Sequence, residues 1–224
     1  MLLSAFLDMG LPTLKVHRAI RSLGIFPIKV KTLRIKKKGV WATRIENFGT
    51  DQFLRWESPR ELLRLVRDSW PDRFLRRSVL RVVERLTHAE AQAHHDTPRN
   101  VVFHQLGRVD ALVNIVSFCV GLDYFRIKEV YVSTIPVGFF HQDPHGVWRK
   151  HPGPATLRLL RRFSLDRREE PFEWVTPTAA ALISTFASAQ PAPALRILRV
   201  GCGVGRHPHP AGFDILHLLL GERI

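Results

Sequence analysis

Apolar residues recur at intervals of three or four along several segments, and this spacing predicts helices. The clearest helix starts after Asp72 as N-cap and extends to about His94. Ser58, with Pro59 behind it and Glu61 at the third helical position, predicts the start of another that ends near Trp70. The remaining predicted helices are Leu2–Asp8, Thr13–Leu23, Arg108–Val120, Thr156–Arg162 and Thr178–Ala187.

Alternation of apolar and polar residues predicts strands at other places. Lys37-Lys38-Gly39 forms a turn between two of them, and its lysines suit a sheet edge that must avoid pairing with other chains. Gly201–Gly205 is predicted as a glycine-rich turn, and Val101–Phe103 as a short strand or extended segment. The predicted strands are Ile28–Lys36, Val40–Phe48, Glu129–Ile135, Leu195–Val200 and Phe213–Leu220.

These elements do not follow the regular βαβ order of a doubly wound sheet. They predict an α+β or irregular α/β fold, in which helices flank a mixed sheet. We expect two small lobes that meet near residue 95. Residues 1–95 would form a basic lobe with two strands and helices, and residues 96–224 an α/β lobe.

The charge of the chain is uneven. The formal net charge is +14, and residues 1–87 hold 19 Lys and Arg against 8 Asp and Glu, whereas residues 88–151 hold 6 of each kind. A basic N-terminal part is typical of a nucleic-acid-binding module or of a module that docks an acidic partner. Solvated faces of helices and strands explain the same charges without a partner.

Two features of the sequence indicate the cellular compartment of the protein. No apolar run reaches the ~18 residues of a membrane span, and Met1–Gly10 lacks the basic start and cleavage pattern of a signal peptide. Cys119 and Cys202 form neither a disulfide framework nor a CxxC pair. We therefore expect a cytoplasmic protein.

Histidines concentrate in the stretch from His94 to His151, which holds His94, His95, His104, His141, His145 and His151 out of eleven in the chain. Imidazoles that flank a buried helix are common ligands of a metal or carriers of a proton. Loop histidines are more often plain surface residues, and the chain has no HExxH and no zinc-finger spacing.

Asp110 and Asn114 lie one turn apart on the apolar helix Arg108–Val120, and Ser117 continues their face. Asp110 could orient His104, as carboxylates behind a metal-bound histidine commonly do. The alternative is that it complements the dipole of the first helical turn.

Thr176-Pro177-Thr178 opens a helix just after Glu173. A helix N-terminus with two hydroxyl groups can hold a phosphate or carboxylate, and simple capping by Thr176 is the alternative. The glycines of Gly201–Gly205 are not a nucleotide loop, because no Lys-Ser/Thr follows them and Pro208 and Pro210 exclude the helix.

An ordered set of short motifs spans nearly the whole chain. It comprises Ala5–Gly10, Arg85-Leu86, Ala89-Glu90-Ala91, His94, Phe103-His104, Gly107, Val109-Asp110, Ile115-Val116, Gly121–Tyr124, Pro136–Gly138, His145-Gly146, Pro154–Leu157, Glu173, Thr176–Thr178, Ala180-Ala181, Gly201, Gly203, Gly205 and Leu218–Glu222. In this order, the motifs resemble those of the LarC family, the nickel insertion proteins of nickel-pincer cofactor synthesis.

The resemblance implies a nickel insertase of the lyase class. It would bind Ni²⁺ and deliver it to pyridinium-3,5-bisthiocarboxylic acid mononucleotide. His104 and His145 would contact metal or substrate, with His94 and His141 as weaker additions. Asp110 would orient His104, with Asn114 beside it, and Thr176 and Thr178 would hold the substrate. The cytidine nucleotide and divalent metal used in the family belong to a C-terminal half, which this chain would need as a separate partner. A homo-oligomer is also expected.

The sequence departs from the family pattern where ligands are expected. It starts within the first helix, and the region Asn47–Glu57 has no histidine. Val102 and Gln105 replace the first His and the acid of the His-x-His-Glu element, whose other His is His104, and Asn114 replaces an acid. Each change removes a plausible nickel ligand. Two hypotheses follow: a working N-terminal half that requires a C-terminal partner, or a truncated paralogue with reduced or lost insertion activity.

Overall fold

A computed structural model describes residues 1–25, 30–47, 56, 58–70, 72–103, 109–138, 141–142, 148–149, 152–170, 172–205 and 215–224, with the backbone alone at positions 47, 141, 142, 148 and 149. The helices are α1 (Leu2–Asp8), α2 (Thr13–Arg21), α3 (Pro59–Ser69), α4 (Arg73–Ala93), α5 (Val109–Tyr124), α6 (Pro154–Leu160) and α7 (Pro177–Phe186). The strands are β1 (Lys31–Lys37), β2 (Val40–Asn47), β3 (Val130–Tyr131), β4 (Ile135–Val137), β5 (His141–Gln142), β6 (Trp148–Arg149), β7 (Leu165–Arg167), β8 (Ala187–Ser188), β9 (Leu195–Val204) and β10 (Ile215–Arg223).

The main sheet has the strand order β1-β2-β9-β10. Its outer pairs are antiparallel, whereas β2 and β9 run parallel and join through Thr43 opposite Gly203 and Arg44 opposite Val204. Three further strand pairs are small: β3 with β8 and β4 with β7 in parallel, and β5 with β6 antiparallel. The predicted α+β class with a mixed sheet is confirmed.

The main sheet takes two strands from residues 1–95 and two from residues 96–224. The division of the chain into two lobes at this point stays a prediction. β1, with Lys31, Lys36 and Lys37, lies at one edge of the sheet, as the lysine-rich turn predicted.

Helix α5 lies at the centre of the core. Most of its residues between Val109 and Leu122 are buried. Because the helix is enclosed on nearly every side, its residues are apolar on nearly every side. Phe6 of α1 contacts Phe118 of α5 with ring centroids 5.8 Å apart, and stacks on Phe125 at 6.0 Å. Cys119 is fully buried here, and burial raises the pKa of its thiol. It therefore packs as a small apolar residue.

The predicted helix starts are confirmed where side chains cap them. The Ser58 hydroxyl accepts a hydrogen bond from the Arg60 amide at 3.1 Å, with Pro59 at the first helical position. Asp72 Oδ1 accepts one from the Leu75 amide at 2.7 Å. Both caps satisfy amide groups that have no partner within the helix.

The predicted turn at Gly201–Gly205 is wrong, because Gly201–Val204 continue strand β9. The reason is the close contact between this strand and α1. A Cβ at position 201 would lie 2.1 Å from the Ala5 carbonyl oxygen, and one at 203 would lie 2.4 Å from that of Met1. The two glycines therefore allow the helix backbone to lie directly on the strand.

Other elements differ from prediction mainly in their bounds. The predicted strand Glu129–Ile135 is two short strands, β3 and β4, because each pairs with a different partner, β8 and β7. The predicted helix Thr156–Arg162 begins earlier, at Pro154 behind the N-cap Gly153. Val101–Phe103 forms no strand, and Val101 and Phe103 are buried. Among the described residues, the helices are too short or too polar to cross a membrane.

Candidate functional site

The predicted polar face of α5 is present at the N-terminal part of the helix. Asp110 and Asn114 are half-buried, and Ser117 is fully buried. Asp110 Oδ1 accepts a hydrogen bond from the Ala111 amide at 3.1 Å, within the first turn of the helix. This contact agrees with the dipole interpretation of Asp110. It leaves open whether Asp110 also orients His104, which lies outside the described residues.

Thr176 is the N-cap of α7, as the sequence predicted. Its Oγ1 accepts a hydrogen bond from the Ala179 amide at 3.2 Å, and Pro177 occupies the first helical position. Thr176 is exposed and Thr178 half-buried. The N-terminus of α7 is therefore open to solvent while its cap is formed.

The segment just before α7 contains Glu173, which the sequence analysis placed beside the helix start without assigning a role to its carboxyl group. Burial raises the pKa of Glu173 above its ordinary value. Phe172 and Trp174 flank it and contact each other edge to face, with ring centroids 5.6 Å apart. An acidic residue between two aromatic ones was the available signal for a carboxyl group with reduced solvent access.

Gly138, which follows β4, lies against this same segment. A Cβ at position 138 would lie 1.9 Å from the Phe172 carbonyl oxygen, so only glycine fits there. Strand β4 ends at Val137, and the Val137 carbonyl accepts a hydrogen bond from the Arg168 amide at 2.8 Å. The segment that leads to His141 therefore starts beside the segment that leads to Thr176.

The structure describes the predicted histidines only in part. His145, like His104, lies outside the described residues, and His141 is described by its backbone alone, in β5. His94 follows α4 as its C-cap, and its Nε2 lies 3.7 Å from a carboxylate oxygen of Glu90. Its side chain is 69% exposed, which fits a surface residue. Within the described ranges, no three His, Cys, Asp or Glu side chains form a group that could hold a metal ion.

Asp8 forms a second polar cluster that sequence reasoning missed. Its carboxylate accepts hydrogen bonds from Thr43 Oγ1 at 2.7 Å and from the Cys202 amide at 2.9 Å. Arg34 lies 3.7 Å away, and the Asp8 side chain is only 10% exposed. Both oxygens are engaged by the protein itself, so Asp8 joins α1 to β1, β2 and β9 and has a structural role.

Comparison with known families decides what kind of protein this architecture belongs to. The family model described as nickel insertion protein matches residues 1–223, nearly the whole chain. The chain belongs to this family. The resemblance seen in the ordered sequence motifs is thereby confirmed, and a basic nucleic-acid-binding module is not favoured for this nickel insertion family member.

Relatives of this nickel insertion family member are similar over its full length. A pyridinium-3,5-bisthiocarboxylic acid mononucleotide nickel insertion protein from Nocardioides is 32% identical over 99% of this chain and 56% of its own length. A protein of the same name from Geobacillus kaustophilus is 28% identical over the same shares. A relative from Syntrophobacter fumaroxidans is 32% identical over 99% of this chain and 57% of its own length.

The chain therefore spans a little over half the length of the curated relatives that it matches. No solved structure matches it.

Proposed function

We propose that this chain binds nickel and presents it for insertion into pyridinium-3,5-bisthiocarboxylic acid mononucleotide, a step of nickel-pincer cofactor synthesis. The observation that carries the proposal is the family match over residues 1–223, together with relatives named for this reaction. Nickel is the cargo of the reaction in this proposal and not a resident cofactor.

In the proposed site, His104 and His145 contact nickel or substrate, and His94 and His141 are weaker additions. Asp110 orients His104, with Asn114 beside it. Imidazole nitrogens hold Ni²⁺ well, while sulfur ligands hold soft and borderline metals more firmly. A donor site built from histidines therefore favours transfer of the ion to a substrate that offers two thiocarboxylate sulfurs.

The packing of α5 and α7 supports a shared site at their N-terminal ends. Phe118 and Phe186 lie with ring centroids 5.5 Å apart, and both helices then lead to the β3–β8 pair. From this contact, each helix extends about 13.5 Å to its start at Val109 or Pro177, at 1.5 Å per residue. Asp110 and Thr176 lie at the N-terminal ends of these two helices, about eight and ten residues before the contact.

We assign the substrate phosphate or carboxylate to Thr176 and Thr178. The exposed N-terminus of α7 offers amide groups and the positive end of the helix dipole. Gly138 starts the His141–His145 loop against Phe172, four residues before Thr176. Metal and anion could thus be held by neighbouring segments, which is what transfer into a phosphorylated substrate requires.

The cytidine nucleotide and its divalent cation are assigned to a separate C-terminal half. The curated relatives are nearly twice as long as the part they share with this chain, so they have room for such a half. We also propose a homo-oligomer. Full insertion is then expected from this chain only when that partner is supplied, and nickel binding is expected without it.

Equilibrium dialysis against Ni²⁺ tests the metal site. His104→Ala and His145→Ala should each weaken the tightest nickel binding of the protein at least tenfold, as read from retention over a range of free nickel concentrations. His88→Ala is the matched control, since His88 is exposed on α4 and its Nδ1 lies 2.7 Å from the Glu84 carbonyl oxygen. Equal retention by wild type and both variants would remove these histidines from the site.

Thr176 needs a test that separates substrate binding from capping. Thr176→Ala should weaken binding of the mononucleotide substrate, whereas Thr176→Ser should preserve it. Ser58→Ala removes an equivalent cap from α3 and controls for the loss of stability, about 1 kcal/mol. If substrate affinity falls equally in Thr176→Ala and Ser58→Ala, Thr176 only caps its helix.

A further inference from the structure

Cys202 and His217 lie directly opposite each other in the main sheet. Strands β9 and β10 pair antiparallel, and their register matches His217 with Cys202. In an antiparallel pair, directly opposite side chains lie on the same face with Cβ atoms about 4.5–5.5 Å apart. The two residues come from sequence positions whose association only the sheet register reveals.

Both side chains lie on the open face of the sheet. Gly201 and Gly203 contact α1, so the alternation of the strand turns Cys202 to the opposite face. On that face, Val200 and Leu219 are the next cross-strand pair and are 50% and 58% exposed. His217 is exposed and Cys202 is half-buried, so an ion from solvent can reach both.

Within the part of the chain that the structure describes, no side-chain hydrogen bond or ion pair engages Cys202 or His217. The bond from Cys202 to Asp8 is made by its backbone amide, and its thiol is in no disulfide. Cys202 is half-buried beside Asp8, and both desolvation and this carboxylate raise the pKa of its thiol. A thiol that stays protonated at neutral pH is a poor nucleophile, but it can still bind a metal ion as thiolate when its proton is released to solvent.

We propose that Cys202 and His217 form a two-ligand site for a divalent transition-metal ion of the Ni²⁺, Co²⁺ or Zn²⁺ type, with water completing the coordination. Thiolate sulfur and imidazole nitrogen are the protein ligands these ions prefer. Bond lengths of about 2.3 Å to sulfur and 2.0 Å to nitrogen place the two donors about 3.5 Å apart. Cross-strand partners can reach this separation. On binding, the thiol proton is released to solvent and a metal–sulfur bond forms.

This site is built from residues other than those assigned to nickel transfer, so it does not depend on the proposed function. Two protein ligands give weaker and more exchangeable binding than a closed four-ligand site. The site thus suits capture of an ion at the surface better than permanent storage.

Titration with Co²⁺ alone tests the proposal, since cobalt bound to thiolate gives a charge-transfer band in the near ultraviolet. The wild-type protein should develop this band at one equivalent. Cys202→Ser should abolish it, and His217→Gln should weaken Co²⁺ binding at least tenfold. Ni²⁺ and Zn²⁺ should displace the cobalt and remove the band.

Three control variants separate this site from other causes. Cys119→Ala should keep the band, because Cys119 is buried within α5. His88→Ala should keep it too, as an exposed histidine elsewhere. His104→Ala should also leave it unchanged, so failure of the insertion proposal would not mimic failure of this one. Persistence of the band in Cys202→Ser, or an unchanged cobalt affinity in His217→Gln with circular dichroism like that of wild type, would overturn the proposal.

Discussion

Single polar groups inside this protein differ sharply in how well their bonds are satisfied. Asp8 uses both carboxylate oxygens, toward Thr43 and the Cys202 amide. The Ser117 hydroxyl is fully buried and has no hydrogen-bond partner within the described part of the chain. A buried polar group without a partner lowers stability, because it gave up its bonds to water.

Replacing this hydroxyl should therefore not harm the protein. Ser117→Ala is expected to leave the free energy of unfolding unchanged or raise it by up to about 1 kcal/mol. Ser4→Ala is the matched control, since Ser4 is also buried in a helix but donates to the Val204 carbonyl at 3.4 Å. Urea unfolding of both variants should give a difference of about 1 kcal/mol in favour of Ser117→Ala. A larger loss of unfolding free energy for Ser117→Ala than for Ser4→Ala would show that the Ser117 hydroxyl does form a stabilising hydrogen bond.

Glu173 gives a pH dependence whose sign is fixed. Burial raises its pKa above the ordinary 4.5, so the folded state binds the proton more tightly than the unfolded state. Its contribution to stability is full below pH 4.5 and is lost as the pH rises through the pKa of the folded state. Relative to wild type, Glu173→Gln should therefore gain stability between pH 4 and pH 7.

Chemical unfolding at several pH values measures this gain. Glu169→Gln serves as the control, because Glu169 is exposed in the same segment and its removal should not change the pH profile in this way. Parallel profiles for wild type and Glu173→Gln would show that the folded state does not favour the protonated carboxyl group.

At the scale of elements, the contact between α1 and β9 depends on two missing side chains. Gly203→Ala would put a Cβ 2.4 Å from the Met1 carbonyl oxygen and 2.5 Å from the Ala5 amide nitrogen. Both are backbone atoms, one of the N-cap Met1 and one within α1, so the start of the helix must move. The expected cost is about 3 kcal/mol.

Gly153→Ser provides the comparison for this substitution. Gly153 is the N-cap of α6 with φ of −66°, and a Cβ there meets nothing within 4 Å. Serine is a favourable N-cap, so this change should alter stability by less than about 0.5 kcal/mol. Thermal unfolding distinguishes the two, and an equally small effect at Gly203 would mean that α1 does not lie on the strand as described.

Elements whose signals are local could be predicted from the sequence. The helix caps could be predicted because each capping bond spans only two or three residues. They are Ser58, Asp72 and Thr176. The predicted turn at Gly201 and Gly203 is wrong, because glycine is required there by contact with helix α1. That helix lies nearly two hundred residues earlier in the chain, so no local pattern shows the contact.

The same limit applies to the candidate site. Capping by Thr176 and the first-turn position of Asp110 follow from neighbouring residues. The approach of Gly138 to Phe172 and the pairing of Cys202 with His217 depend on strand partners, which no local pattern reveals. The roles of His104 and His145 remain predictions, because both lie outside the described residues.

For the whole molecule, a net charge of +14 should oppose compactness at low ionic strength. Raising NaCl from about 10 mM to 150 mM shortens the Debye length from about 30 Å to 8 Å. The urea midpoint of the wild-type protein should rise over this range. A variant with Arg60, Arg73 and Arg77 changed to Gln removes three exposed charges and should show a smaller rise. Equal salt dependence of the two proteins would mean that self-repulsion is not what limits stability.

The parallel junction between β2 and β9 has a consequence for how the protein forms during synthesis. Thr43 leaves the ribosome long before Gly203, its partner in the sheet, so β1 and β2 wait as an isolated hairpin while most of the chain is made. Such late pairing raises the contact order and slows folding. We expect the synthesis of β9 to trigger closure of the sheet, and nascent chains that stop before β9 to depend on chaperones.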